Sequence, residues 1–132
     1  MGSYRELRAW QASHEMAVQV FRVTSSWPPS ERYGLTAQVR RAAFSVPANI
    51  VEGSMRRGSR ELRHFLDIAM GSLAEVEYAL EFAAAAGVSG PGDHDRLAPL
   101  VTSAGKLTYL LARGLDRSIR TSSDRRTARP LP

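Results

Sequence analysis

Cysteine is absent, so the first residues to weigh for chemistry are three histidines, thirteen carboxylates and a rich set of arginines. Glu61 and His64 form a Glu-x-x-His unit. Bundles that hold a carboxylate-bridged iron pair use two such units and two further glutamates, all aimed inward. This chain has a single unit. On a helical wheel His64 points nearly opposite the apolar stripe, and Glu61 lies far from its centre. No metal site is expected. His14 falls on an apolar stripe beside Trp10 and Phe21 and reads as a hydrogen-bonded core histidine. His94 lies in a Gly/Asp loop and reads as solvated. There is no G-x-S-x-G elbow, no phosphate-cradling glycine loop and no Cys/His ligand cluster. The expectation is a non-enzyme without catalytic residues or cofactor.

The arginines form the more informative constellation. Arg40 and Arg41 lie on the second of the helices described below, and Arg56, Arg57, Arg60 and Arg63 surround the turn into the third. A guanidinium offers a planar fork of donors that matches phosphate, so these six are the candidate residues for binding nucleic acid, RNA or DNA. The competing explanation is ion pairing, for instance Arg63 with Asp67. No aromatic residues interleave with the cluster to stack on bases. The formal net charge is +5, and seventeen of the eighteen basic residues are arginine. The charge is uneven: Arg117, Arg120, Arg125, Arg126 and Arg129 stand against Asp116 and Asp124 near the C-terminus.

These residues must be positioned by helices. A chain of 132 residues with 43% hydrophobic content suits one domain with a real core. Four segments repeat apolar residues every three or four positions. Leu7, Trp10, His14, Ala17 and Phe21 mark the first, which stops at Trp27-Pro28-Pro29. Leu35, Val39, Ala42, Val46 and Ile50 mark the second, with Pro47 expected to kink it and Ser30 or Glu31 placed to serve its first turn. Leu62, Leu66, Ala69, Leu73, Val76 and Leu80 mark the third, from a Ser59 N-cap to about Ala86. Leu97, Val101, Ala104, Leu107, Leu111 and Leu115 mark the fourth, ending near Ser118. The expected architecture is all-α: an antiparallel up-down four-helix bundle over residues 1–118 and a disordered Arg-rich tail over 119–132. No segment reaches the roughly 18 apolar residues of a membrane span, so a cytoplasmic protein without membrane contact is expected.

Two helices carry a second apolar face. Gly71, Ala74, Tyr78 and Phe82 point away from the third helix's core stripe, and Ala37, Phe44, Ala48 and Val51 do so on the second. Ala9, Met16, Val20 and Val23 form a weaker counterpart on the first. A helix apolar on opposite faces has more than one surface to bury. Phe44, Val51, Gly71, Ala74, Tyr78 and Phe82 are therefore expected at a homo-oligomer interface.

The motif Arg40-Arg41-Ala42-Ala43-x-Ser45-Val46-Pro47-Ala48-Asn49-Ile50-Val51-Glu52-Gly53, preceded by Tyr33-Gly34-Leu35-Thr36-x-Gln38, leads to Ser59-x-Glu61-x-x-x-Phe65-Leu66-x-Ile68-Ala69-x-Gly71-Ser72-Leu73-x-Glu75. Over about residues 4–116 this resembles the four-helix bundle proteins encoded in intervening sequences of bacterial 23S ribosomal RNA genes, also labelled S23 ribosomal proteins. The resemblance implies a ring-shaped homopentamer. It extends to accessory proteins of diversity-generating retroelements, which bind a reverse transcriptase and nucleic acid. Pro47, Asn49, Glu52 and Gly53 belong to the shared motif and read as structural. Asn49 and Glu52 would hydrogen-bond near a helix end, and Gly53 would supply the left-handed residue that stops the second helix. The resemblance brings no catalytic residues with it. The functional expectation is nucleic-acid binding through the six arginines, or else a scaffold for a protein such as a reverse transcriptase.

Overall fold

Proline and glycine divide the chain into four helices. The structure, a computed structural model, describes residues 3–128. A 3-10 turn at Tyr4–Glu6 leads through extended Leu7 into α1, Arg8–Thr24. Trp27-Pro28-Pro29 ends that run, and a 3-10 turn at Pro29–Glu31 precedes α2, Leu35–Ser54. Glu31 caps α2 by accepting the Leu35 N–H at 3.2 Å. Gly58, at φ 89°, turns the chain into α3, Ser59–Ala85, so Ser59 is the first helical residue and not the cap. Gly87 and Gly92 also take positive φ in the loop before α4, Asp93–Thr127.

Each helix packs against its two sequence neighbours around the bundle: α1 on α2, α2 on α3, α3 on α4, and α4 back on α1. This is the antiparallel up-down arrangement. Its core is built from medium-sized residues, among them Met16, Val20, Val39, Val46, Ile50, Leu66, Val76, Leu80 and Leu97. Small side chains at Ala42, Ala69, Ala83 and Ala104 let the helices approach. The end of the bundle opposite the α2–α3 turn is tied by Asp93. Its carboxylate accepts from Trp27 Nε1 at 3.0 Å and from the Gly90 N–H at 2.7 Å, joining the α1–α2 connection to the start of α4.

Three expectations need correction. α1 is rotated relative to its expected stripe: Ala9, Ser13, Met16, Val20, Val23 and Thr24 are buried, whereas His14 and Phe21 are exposed. Polar Ser13 and Thr24 interrupt the true core stripe and disguise it. His14 stacks on Trp10 at 4.8 Å outside the core. α4 does not end near Ser118 but runs to Thr127, so residues 119–127 are helical where a disordered tail was expected. No proline follows Pro99 until Pro130, so nothing breaks the helix earlier. Residues 129–132 lie outside the described residues. Finally, Gly53 lies inside α2 without positive φ and is not the left-handed residue that stops it; the helix runs on through Pro47 to Ser54, as the stripe to Ile50 implies.

Gly53 serves helix packing. A Cβ built there would meet Phe65 Cβ at 2.8 Å and Leu62 Cα at 3.3 Å, so the bare backbone is what lets α2 lie on the first turns of α3. The Gly53→Ala variant should therefore lose about 1–3 kcal/mol by overpacking. Gly105, in α4 with open space around its Cα, provides the contrast. Gly105→Ala should gain up to about 1 kcal/mol from helix propensity. Paired urea titrations would check both signs.

Candidate nucleic-acid interface and an apolar groove

The six candidate arginines do not form one patch. Arg40 and Arg41 lie near the start of α2, and Arg56 and Arg57 follow its end. At 1.5 Å per residue the two groups are roughly 24 Å apart along the bundle. The sequence reading joined them because the wheel carries no information along the helix axis.

Arg40 caps α1. Its guanidinium donates to Thr24 Oγ1 at 2.8 Å, to the Phe21 carbonyl at 3.0 Å and to Ser25 Oγ at 3.1 Å, and it lies 4.0 Å from the centre of the Phe21 ring. A cation is favoured where a helix exposes its last carbonyls. Arg41 crosses to α3 and donates to Glu75 Oε2 at 2.7 Å; Gln38 reaches the same carboxylate at 3.3 Å. Arg56 pairs with Glu52 one turn earlier. Arg63 is held between Asp67 and, on α4, Asp116 at 2.9 Å. The hydrogen bonds it donates to these two carboxylates, Asp67 first, raise its pKa above the ordinary arginine value.

Arg57 and Arg60 differ. Both are exposed, and neither pairs with a carboxylate among the described residues. The Arg63–Asp116 bond fixes which part of α4 lies beside the first turns of α3. The last turns of α4 thus run toward the same end of the bundle, bringing the exposed Arg117, Arg120, Arg125 and Arg126 with them. The opposite end mixes Glu75, Glu77, Glu81 and Asp95 with Arg32, Arg40, Arg41 and Arg96, so the unbalanced basic charge gathers at the α2–α3 turn.

The second apolar faces are also in place. Tyr78 is 65% exposed, Phe82 49% and Phe44 70%, and Gly71 and Ala74 lie on the open side of α3. The rotation of α1 adds a feature the sequence reading missed. Its aromatic stripe lies beside the outer face of α2, and together they form a groove of about 510 Å³. Tyr4, Trp10, His14, Phe21, Phe44 and half-buried Val51 line it, with Arg40 on the wall. The signal was present in the sequence as two apolar faces on α1; the larger side chains were assigned to the wrong one.

The motif residues are structural in their contacts. Asn49 donates to the Ser45 carbonyl at 2.7 Å and to Ser45 Oγ at 2.9 Å, and Ser45 Oγ meets Ser72 Oγ of α3 at 2.8 Å. Glu52 holds Arg56. Glu61 and His64 are exposed beside Arg56, Arg60 and Phe65 in a shallow depression. Among the described residues no group of three or more His, Asp or Glu is placed to hold a metal ion. No helix among them is long and apolar enough to cross a membrane.

Comparison with known families agrees with this architecture. The family model for the 23S rRNA-intervening sequence protein matches residues 5–109, so the chain belongs to that family. No curated protein matches the chain.

The two kinds of arginine should separate under mutation. Arg40→Ala removes the cap of α1 and should cost about 1–2 kcal/mol. Arg57→Ala and Arg60→Ala should each leave stability within about 0.5 kcal/mol of wild type, as exposed substitutions usually do. Thermal melts of the three variants read the difference directly.

Proposed function

We propose that this member of the 23S rRNA-intervening sequence protein family is a non-enzymatic, homo-oligomeric bundle that binds RNA or DNA at its α2–α3 end. The observation that carries the reading is that Arg57 and Arg60 have no carboxylate partner among the described residues. They share their end of the bundle with the exposed arginines of α4. Arg56 and Arg63 stay close enough to contribute field, although each already holds an acid. Arg40 and Arg41, included among the six from sequence, are reassigned to structural bonds.

The chemistry favoured is contact with phosphate and not readout of bases. Arginine forks suit phosphate oxygens, while Phe21 and Phe44 border the α1–α2 groove, Tyr78 and Phe82 stand farther along α3, and Tyr33 and Tyr109 lie outside the Arg57–Arg60 turn. Binding would therefore be tolerant of sequence and sensitive to salt. Self-assembly is supported by those same aromatic surfaces, since exposed rings clustered with small residues are what interfaces bury. The ring of five copies implied by family resemblance belongs to this proposal. So do a cytoplasmic location and the absence of a catalytic role.

A second reading rests on the groove: a scaffold that grips a protein, with a reverse transcriptase as the kind of partner the resemblance suggests. Salt separates the two. Affinity for labelled structured RNA and duplex DNA should fall steeply with ionic strength in the wild type. The Arg57→Ala/Arg60→Ala variant should bind more weakly, with a slope lower by about two logarithmic units per protomer engaged. Absence of binding by wild type at low salt would sink the nucleic-acid reading and leave the scaffold.

A further inference from the structure

Large apolar side chains are exposed on two separate surfaces of the bundle, and the two differ in shape and charge. One is concave: the groove between α1 and α2, lined by Trp10, Phe21, Phe44 and Val51. The other is convex: the outer side of α3, where Tyr78 and Phe82 stand with ring centres 6.3 Å apart, flanked by Gly71 and Ala74. Arg40 on the groove wall bonds to neutral oxygens of Thr24, Phe21 and Ser25, so no carboxylate within the described residues neutralises it. Glu77 and Glu81 adjoin Tyr78 and Phe82 in sequence and have no basic partner among the described residues. Each surface thus supplies what the other lacks: a ridge for a groove and uncompensated acid for uncompensated base.

We infer that the groove receives the Tyr78–Phe82 ridge of α3 from a second copy of this chain. This rests on the homo-oligomeric part of the function proposed above and specifies which surfaces meet. The contact is head-to-tail. A copy offers its ridge to one neighbour and its groove to another, so the contact does not end at a symmetric pair and closes by forming a ring. A symmetric dimer in which α3 meets α3 would bring the same-sign Glu77 and Glu81 of both copies together and would leave the groove open.

Two single variants of the full chain test the pairing. Phe44→Glu places a charge in the groove and leaves the ridge intact; Tyr78→Glu does the reverse. Both positions are exposed, so folding should be retained, and circular dichroism would verify it. Masses are read by light scattering at the highest concentration the wild type tolerates. The expected result is a multi-subunit wild type, two monomeric variants, and a dimer that grows no further when the variants are mixed. That dimer forms because the ridge of the Phe44→Glu chain still fits the groove of the Tyr78→Glu chain. If either variant keeps the wild-type mass, its surface is not in the interface and the inference fails. If both become monomeric but the mixture yields no dimer, the intact ridge of one does not fit the intact groove of the other and the inference fails. A monomeric wild type would overturn the homo-oligomeric reading itself, while salt-dependent nucleic-acid binding by wild type is scored separately.

Discussion

The close contact between Gly53 and the first turns of α3 is the constraint on which the rest of the molecule leans. With no side chain at that position, α2 can lie on Leu62 and Phe65 without a spacer between the helices. Once the hairpin is closed there, the register along it follows: Ser45 reaches Ser72, and Arg41 reaches Glu75. Pro47 lies along this stretch of α2 on the side of the α1–α2 groove and contributes no backbone donor. The helix nevertheless continues, because the buried stripe from Val39 to Ile50 rewards one continuous element more than a break would. The same packing sets the ends of the bundle, and so decides which arginines can meet.

Packing in the interior also explains why the phenylalanine and tyrosine rings of α1, α2 and α3 lie mostly outside, while buried Trp27 sits in the α1–α2 connection. The space between four helices is filled by Met, Val, Ile, Leu and Ala, and tightly packed interiors accept added volume poorly. Phe21, Phe44, Tyr78 and Phe82 therefore remain on the surface, on the outer faces of α1, α2 and α3. An isolated exposed ring is ordinary, but rings gathered in a groove and along a ridge are a concentrated cost in water. In this chain the residues Ser45, Asn49 and Gly53 are then chiefly engaged in packing, and the exposed rings lie beside them.

Periodicity made the four helices legible, along with three of the four core stripes and the outward faces of α2 and α3. It failed on α1 because that helix has two apolar faces, and Ser13 and Thr24 break the one that is buried. Large aromatics on the competing face outweighed Ala9, Met16 and Val20 in the pattern, and His14 was carried into the core with them. The end of α4 is not legible because its Arg- and Ser-rich composition resembles that of a disordered tail, whereas a helix can run on where no Pro or Gly stops it. Arg63 with Asp67 was anticipated one turn apart on a single helix. Its partner Asp116, and the contacts of Arg40 and Arg41, needed the third dimension, since they join residues far apart in the chain.

The charge that remains after these pairings is small for one chain, and this connects the two proposed activities. A protomer offers Arg57, Arg60 and the α4 arginines at a single end, with Asp116 and Asp124 subtracting from them. Head-to-tail docking around a closed ring relates the copies by rotation alone, and rotation about an axis along the helices leaves every basic end on the same side. The local potential at that side then sums over the copies, while the ends where acids and arginines mix collect on the other. Charges that are modest singly become a field able to attract a polyanion when they are repeated within a Debye length or two. Assembly through the aromatic surfaces would in this way supply the charge density that the individual bundle lacks.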